Sequence, residues 1–146
     1  MPSEKVEEIL SWLQKASDDL EAATILFNTN RATQWHQVLF FCQQAVEKTL
    51  KAFLVWKETK FDWTHDLEKI GNQCRQIDPS LKTPIAQIIY LSDYAWEFRY
   101  PGEDPEPTRK EASQGIQKTK KFVRDLLKTF PKDVIPKPIP AKKRKK

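Results

Sequence analysis

The sequence predicts an all-α protein, an up-and-down antiparallel bundle of about five helices around a four-helix-bundle core. Apolar residues recur at spacings of three and four over long segments, which is typical of amphipathic helices. The 146 residues include only three glycines, so long helices can form without interruption. Hydrophobic residues make up 39% and charged residues 31%, as expected where each helix keeps one face in water.

The first two helices are the longest predicted elements. The first runs from about Ser3, which can cap it, to Asn28, with an apolar face of Val6, Leu10, Leu13, Leu20, Ala23 and Leu26 or Phe27. The second runs from about Thr33 to Lys57, with an apolar stripe of Leu39, Cys42, Val46, Leu50, Phe53 and Trp56. Its polar side, which a solvated face with a Glu47–Lys51 ion pair would explain, holds Gln44, Glu47, Lys48 and Lys51. We expect this helix at the centre of the bundle.

Three further helices follow. Thr64 can cap a third helix from about His65 to Ile77. The pair Thr83-Pro84 is typical of a helix start and predicts a fourth helix, with Ile85, Ile88, Ile89, Leu91, Tyr94 and Ala95 on it. Three prolines and a glycine in residues 98–107 exclude regular helix there. Residues 108–111 then form a capping box that opens a fifth helix to about Phe130, with an apolar face of Ala112, Ile116, Thr119, Val123, Leu126, Leu127 and Phe130.

Charge divides the chain into a helical domain, residues 1–130, and a flexible basic tail rich in Pro and Lys, residues 131–146. The tail carries a net charge of +6, while the whole chain carries +5, so the body is close to neutral. A basic surface over the whole body is therefore excluded, and a basic arm is not. The tail is interpreted as a nucleic-acid arm, a nuclear import signal or a simple solvated segment.

The cysteines and the N-terminus indicate a cytoplasmic protein. Cys42 and Cys74 are too far apart in the sequence for a metal motif or a disulfide framework, and they are expected to be buried thiols. The first eight residues are acidic and lack the apolar segment of a secretory signal. No apolar run approaches the roughly 18 residues of a membrane span. No cofactor is predicted.

Residues with possible chemistry lie mostly late in the chain. An aromatic cluster with one arginine could stack on bases and bind phosphate, or could complete the core: Tyr90, Tyr94, Trp96, Phe98, Arg99 and Tyr100. His65 either contacts phosphate or forms local hydrogen bonds. Asp93 and Glu97 share a helix face, which is more typical of a solvated surface than of a metal site. No catalytic triad and no phosphate-binding glycine loop is present.

Three segments resemble the motifs of HEPN domains. Residues 43–54 (QQAVEKTLKAFL) resemble the long second-helix motif, residues 64–67 (THDL) the step that follows it, and residues 98–101 (FRYP) the arginine-tyrosine-proline element near the end of the fourth helix. Residues 16–26 fit the first helix of the family. The resemblance covers about residues 10–130, and the order and spacing of its elements make it fairly specific.

The resemblance implies a helical bundle that is usually a homodimer and acts on nucleotides or RNA. It also implies pairing with an MNT-type nucleotidyltransferase, in toxin–antitoxin pairs where the HEPN protein can act as a ribonuclease toxin. The ribonuclease branch carries an Arg, four to six residues and a His late in the bundle. No His follows Arg99 in this chain, and the formal match from Arg31 to His36 lies before the second helix, where we interpret it as chance.

The leading hypothesis is thus a HEPN subunit that binds nucleotide or RNA, is weakly catalytic or non-catalytic, and partners a nucleotidyltransferase. Arg99 with Lys48 or Lys51 is predicted to bind phosphate, Tyr100 to stack, and His65 to add a polar contact. The second hypothesis is a metal-independent ribonuclease in which Arg99 works with Tyr100 or His65. The third is a purely structural dimeric adaptor.

Overall fold

The computed structural model describes residues 1–29, 34–61, 63–96 and 105–136. It contains five α-helices: α1 (Ser3–Phe27), α2 (Trp35–Trp56), α3 (Leu67–Ile77), α4 (Lys82–Ala86) and α5 (Arg109–Leu127). Three short 3-10 helices accompany them: Pro79–Leu81, Ile89–Tyr94 and Lys132–Val134. Within these ranges there is no β-strand, so the all-α prediction is confirmed.

Helix α2 occupies the centre of the bundle, as predicted. Helices α1, α3 and α5 and the 3-10 helix Ile89–Tyr94 all pack against it. Fifteen of its 22 residues are buried, far more than one amphipathic face provides. Leu50, Phe53 and Leu54 are completely inaccessible. Because neighbours surround α2 on nearly every side, even its polar residues must find partners inside the protein.

The N-terminal ends of α1 and α5 differ. Helix α1 starts directly after Pro2 and has no side-chain cap, so the prediction that Ser3 caps it is wrong. Helix α5 opens with the predicted capping box: Thr108 Oγ1 accepts from the Glu111 amide at 3.1 Å, and Glu111 Oε1 accepts from the Thr108 amide at 3.2 Å. Of the predicted apolar face, Val123 and Leu127 are only half-buried, and Phe122 is buried instead.

Helix α5 approaches α2 closely at Gly115. A Cβ atom at this position would collide with Leu39 Cδ2 on α2. The absence of a side chain at Gly115 therefore leaves room for Leu39, and a larger residue would require the buried Leu39 side chain or the helices to shift.

The C-terminal end of α2 turns the chain sharply toward the next loop. Glu58 has a φ of 53°, in the left-handed region that favours glycine. The Glu58 amide donates to Val55 O at 3.0 Å and the Thr59 amide to Leu54 O at 2.9 Å. This pair of bonds is the Schellman arrangement, which satisfies the last carbonyl groups of the helix.

Helix α3 starts two residues later than the sequence predicts. Its N-cap is Asp66, whose carboxylate Oδ1 accepts from the Glu68 amide at 2.9 Å. Thr64, the predicted cap, instead accepts from the Asp66 amide at 3.1 Å. Thr64 and His65 therefore belong to the loop, because the carboxylate of Asp66 takes the capping position.

The predicted fourth helix, starting at Thr83 and continuing to Ala95, is wrong as a single element. Helix α4 starts at Lys82, one residue before Thr83, and ends at Ala86, and the chain continues as the 3-10 helix Ile89–Tyr94. Ile85, Ile88 and Leu91 are fully buried or nearly so. Ile85 belongs to α4 and Leu91 to the 3-10 helix, so both segments turn apolar side chains into the core.

The packed chain continues beyond residue 130, where the sequence predicts the start of the tail. Residues 132–134 form a 3-10 helix, and Val134 is completely buried. The flexible basic tail itself stays a prediction, since residues 137–146 lie outside the described part. In the described residues, no helix is both long and apolar enough to cross a membrane.

Candidate functional site

A row of polar side chains on α2 is buried rather than solvated. Gln43, Glu47 and Lys51, one turn apart on the same side of the helix, are each at most 3% exposed. Lys51 Nζ lies 3.1 Å from Glu47 Oε2, so the predicted ion pair forms, and each side chain is only 4% exposed. The interpretation of this side of α2 as a solvated face is therefore wrong. We call Gln43, Glu47 and Lys51 the polar row.

The polar row holds His65 in place by two contacts. His65 Nδ1 donates to Glu47 Oε1 at 2.8 Å. Gln43 Nε2 donates both to Glu47 Oε1 and to the backbone oxygen of His65, each at 3.1 Å. With Nδ1 engaged by the carboxylate, Nε2 is the nitrogen through which the half-exposed imidazole can meet a ligand.

Three aromatic rings surround the ammonium of Lys51. Its Nζ lies 5.5 Å from the centroid of Trp12, 5.4 Å from Phe61 and 5.4 Å from Trp63. These distances are within the roughly 6 Å range of cation–π attraction. Trp12 comes from α1, whereas Phe61 and Trp63 come from the loop after α2. Lys51 therefore holds that loop against the bundle.

Lys48 lies outside the polar row and is paired across the bundle. Its ammonium donates to Asp19 Oδ2 on α1. Burial raises the pKa of the Asp19 carboxyl above its usual value, and the hydrogen bond from Lys48 opposes that shift. The pair links α1 to α2 and neutralises both charges.

Next to the polar row lies an open cavity of about 420 Å³. We call it the tryptophan pocket, and its lining consists of Trp63, Thr64, His65, Asp66, Ser92, Ala95 and Trp96. Ser92 Oγ accepts from the Leu67 amide at 2.9 Å, which ties the 3-10 helix Ile89–Tyr94 to the start of α3. Trp63 is 88% exposed and Trp96 is 70% exposed, so two large aromatic rings face solvent beside His65.

Trp96 is supported from behind by the second histidine. His36, on α2, is 3% exposed, and its Nε2 donates to Trp96 O at 2.7 Å. Its Nδ1 is buried and has no hydrogen-bond partner among the described atoms. His36 thus fixes the backbone from which the Trp96 ring extends. Arg31, its partner in the formal Arg–His match, lies outside the described residues.

The structure brings only part of the predicted site together. His65 lines the tryptophan pocket, and its role as a polar contact to a ligand stays a prediction. Lys48 and Lys51 are both engaged in ion pairs, and Lys51 is almost inaccessible, so its ammonium is not placed to meet a phosphate from solvent. Arg99 and Tyr100 lie outside the described residues, and their roles stay predictions.

Sequence reasoning misses three residues of this site. It does not single out Trp63, it names Trp96 only within a cluster that could stack on bases or complete the core, and it interprets Glu47 as part of a solvated ion pair. A tryptophan in a short polar loop is the available signal for Trp63, because an indole that no helix face can bury is an unusual surface residue. No local signal distinguishes a buried Glu47 from an exposed one.

A second concave surface lies between α1 and α5, with a volume of about 340 Å³. Its lining is aliphatic with a basic rim and shares no residue with the tryptophan pocket: Leu20, Lys120, Val123, Arg124, Leu127, Lys128 and Ile135. Unlike the tryptophan pocket, it has no histidine and no carboxylate in its lining. It therefore offers little for positioning a ligand by hydrogen bonds.

Neither metal ligation nor thiol chemistry is supported in the described ranges. No group of three or more His, Cys, Asp or Glu side chains could hold a metal ion there. Asp93 is described, but its predicted companion Glu97 is not. Burial raises the pKa of the Cys42 thiol to about 12, and that of Cys74 also to about 12. Both thiols are free and buried, so they are poor nucleophiles.

Comparison with known proteins gives one finding on family. Neither the curated proteins nor the solved structures contain a significant match to this chain. The HEPN domain family matches residues 9–129, which include most of α1, all of α2 to α5 and the lining of the tryptophan pocket. The chain therefore belongs to the HEPN domain family.

Proposed function

We propose that this HEPN protein binds a nucleotide or single-stranded RNA in the tryptophan pocket. The observation that carries the proposal is the pair of exposed indoles, Trp63 and Trp96, which line the pocket together with His65. Aromatic side chains that face solvent beside a cavity are the usual platform for nucleobases, which stack on them whatever their identity. Membership in the HEPN family supports a role connected with nucleotides or RNA.

His65 is proposed to fix the orientation of the bound base or ribose. Glu47 accepts from Nδ1, so the neutral imidazole carries its proton on Nδ1 and presents Nε2 as an acceptor. After protonation, Nε2 becomes a donor that suits a phosphate or a carbonyl oxygen. One side chain can thus bind either a ribose hydroxyl or an anionic group.

Phosphate recognition is assigned to Arg99, and further stacking to Tyr100. Arg99 follows Trp96, which lines the pocket, by three residues in the sequence. A guanidinium binds phosphate by two parallel hydrogen bonds. Lys48 and Lys51 are the other predicted phosphate contacts, and their ion pairs leave Arg99 the better candidate.

The partner and the assembly state are proposed from the sequence motifs. Residues 43–54, 64–67 and 98–101 resemble HEPN proteins that pair with an MNT-type nucleotidyltransferase in toxin–antitoxin systems. We expect a cytoplasmic homodimer that binds such an enzyme. Co-purification with an MNT-type nucleotidyltransferase and light scattering of the isolated protein test the two parts separately.

The binding test is a thermal-shift titration with AMP, ATP, GTP and a five-nucleotide RNA. A ligand that binds only the folded state must raise the Tm. Stacking on one ring is worth about 1–3 kcal/mol, so Trp63→Ala and Trp96→Ala should each weaken binding by about tenfold or more. Ile25→Ala, which removes another exposed apolar side chain, is the matched control.

Two outcomes would contradict the pocket assignment. Equal affinity in the parent and both tryptophan variants would place the ligand elsewhere. No Tm rise with any ligand would favour the third hypothesis, a structural adaptor whose surface binds protein alone.

A second candidate function is metal-independent ribonuclease activity, which the His65–Glu47 contact favours. A histidine oriented by a buried carboxylate is the arrangement of a general base. His65 Nε2 would take the proton of the ribose 2′-hydroxyl while the 2′ oxygen forms a bond to phosphorus. The bond from phosphorus to the 5′ oxygen would break, which leaves a 2′,3′-cyclic phosphate. Water would give a proton to the 5′ oxygen, and the resulting hydroxide would take the proton from His65.

RNA cleavage by the parent, His65→Ala and Arg99→Ala decides this alternative. Cleavage that is lost in both variants supports it. Absence of cleavage by the parent, or undiminished cleavage by both variants, excludes it and leaves binding as the function.

A further inference from the structure

We infer that Lys51 is a positioning residue that holds two walls of the tryptophan pocket at once, an inference that rests on the proposed binding function. The first wall is His65, which Lys51 reaches through Glu47. The second wall is Trp63, whose ring lies 5.4 Å from the Lys51 ammonium. One buried cation therefore connects the hydrogen-bonding group of the pocket to one of its stacking surfaces.

The connection to His65 depends on the two oxygens of one carboxylate. Glu47 Oε2 lies 3.1 Å from Lys51 Nζ, and Glu47 Oε1 accepts from His65 Nδ1 at 2.8 Å. The bond from Lys51 to Oε2 restricts rotation of the carboxylate, and Gln43 donates to Oε1 at 3.1 Å. Lys51 thus helps to set the position at which Glu47 holds the imidazole.

The connection to Trp63 is needed because that residue has little else to hold it. Its side chain is 88% exposed, so burial contributes little to its position. The cation–π contact with Lys51 and the edge contact with Phe61, whose centroid is 6.3 Å away, are its described interactions. Lys51 also attracts Phe61 and Trp12, so it gathers the loop around one charge.

Burial strengthens the contacts of Lys51 and makes the loss of any one partner costly. Inside a protein, charges interact more strongly than in water, and a buried charge that loses its partner is costly. The Lys51–Glu47 pair is 4% exposed on both sides, so solvent cannot replace a missing contact. Loss of Lys51 should consequently affect His65 and Trp63 together rather than one at a time.

The test measures both walls without any ligand, by NMR of the full-length protein. Lys51→Met keeps the aliphatic length but removes the charge. The Trp63 indole resonance should show increased motion and the His65 ring resonances should shift, while the circular dichroism stays helical. Lys51→Arg should restore both signals in large part, because a guanidinium keeps the charge.

Two further variants keep the test decisive. Lys57→Met removes another lysine from an aromatic contact, with Trp56 at 3.9 Å, and should change neither wall. If Lys51→Met does not fold, Lys51→Met with Glu47→Gln removes both buried charges. That double variant leaves neither of the two charges buried, and the inference still predicts a mobile Trp63 and shifted His65 signals, because Lys51 no longer anchors the side chain at position 47.

The outcomes separate this inference from the proposed function. Unchanged Trp63 and His65 signals in folded Lys51→Met would overturn the positioning role, whether or not ligand binds. Changed Trp63 and His65 signals in Lys51→Met, together with a parent protein that binds neither AMP nor the five-nucleotide RNA, would support the positioning role and refute the proposed function. If the positioning role and the binding function are both correct, Lys51→Met should weaken AMP binding about tenfold or more, and Lys57→Met should not weaken it.

Discussion

The two sides of α2 are both buried, but by different physical means. One side is apolar, with Cys42, Val46 and Leu50 one turn apart, and it is stabilised by removal of surface from water. The other side is the polar row, which is stable only because every charge and amide meets a partner. A replacement by apolar residues would pack as well, since buried ion pairs contribute little net stability. The polar row is therefore better explained by the pocket it supports than by the stability of the fold.

The largest effect is expected when the polar row is broken on one side. Glu47→Leu leaves the Lys51 ammonium buried without a counter-ion, which should lower the free energy of unfolding by about 3–5 kcal/mol. Adding Lys51→Met to that variant should restore most of the loss, because no charge then remains buried. Urea unfolding, monitored by circular dichroism, measures the free energy of unfolding of both the single and the double variant.

Leu50→Ala is the matched control on the apolar side. It should cost about 2–5 kcal/mol by leaving a cavity, and no second substitution of a charged residue should restore it. Its folded fraction should bind AMP like the parent. A Glu47→Leu protein as stable as the parent would show that the two sides do not differ as described.

A smaller effect is expected at the contact between α2 and α5. Alanine in place of glycine in a helix normally stabilises it by about 0.5–1 kcal/mol. At Gly115 the added Cβ would collide with Leu39, so Gly115→Ala should instead destabilise by about 1–3 kcal/mol. Thermal unfolding measures whether Gly115→Ala raises or lowers the stability. A rise in Tm would mean that α5 moves away from α2 without loss of packing.

The smallest effect concerns the thiols, which should not react in the folded protein. Burial raises the pKa of both Cys42 and Cys74 to about 12, so at neutral pH roughly one thiol in 10⁵ is ionised. Reaction with a thiol reagent should be absent in native conditions and should reach two groups per chain after unfolding in guanidinium. Rapid reaction of the native protein would show that the apolar side opens to solvent.

Elements with a local signal can be predicted from the sequence. The capping box at Thr108 and Glu111 and the long stripe of α2 each depend on neighbouring residues in the chain, and both predictions are confirmed. In the region after α3, the helix start predicted at Thr83-Pro84 is found within one residue, at Lys82, but the continuation to Ala95 as one helix is wrong.

The site is harder to predict because its parts are distant in the sequence. The Glu47–Lys51 pair is predicted and confirmed, but its burial is not predicted. That burial comes from Trp12 on α1 and from the loop with Phe61 and Trp63, whose position the sequence of α2 does not contain. A helical pattern shows which residues share a side, and only the tertiary structure shows what covers that side.

The contacts of Trp96 make the two imidazoles of the chain a spectroscopic probe. The protein has only two histidines, and both touch this residue, His36 at its backbone oxygen and His65 with a ring centroid 6.1 Å from the indole. An imidazole-selective NMR spectrum therefore contains two sets of signals, and a single His65→Ala variant assigns both. A ligand that moves Trp96 should shift the two together, whereas one that meets only the Trp63 side should shift His65 alone. The molecule thus reports which of its two indoles a ligand engages, without any added label on tryptophan.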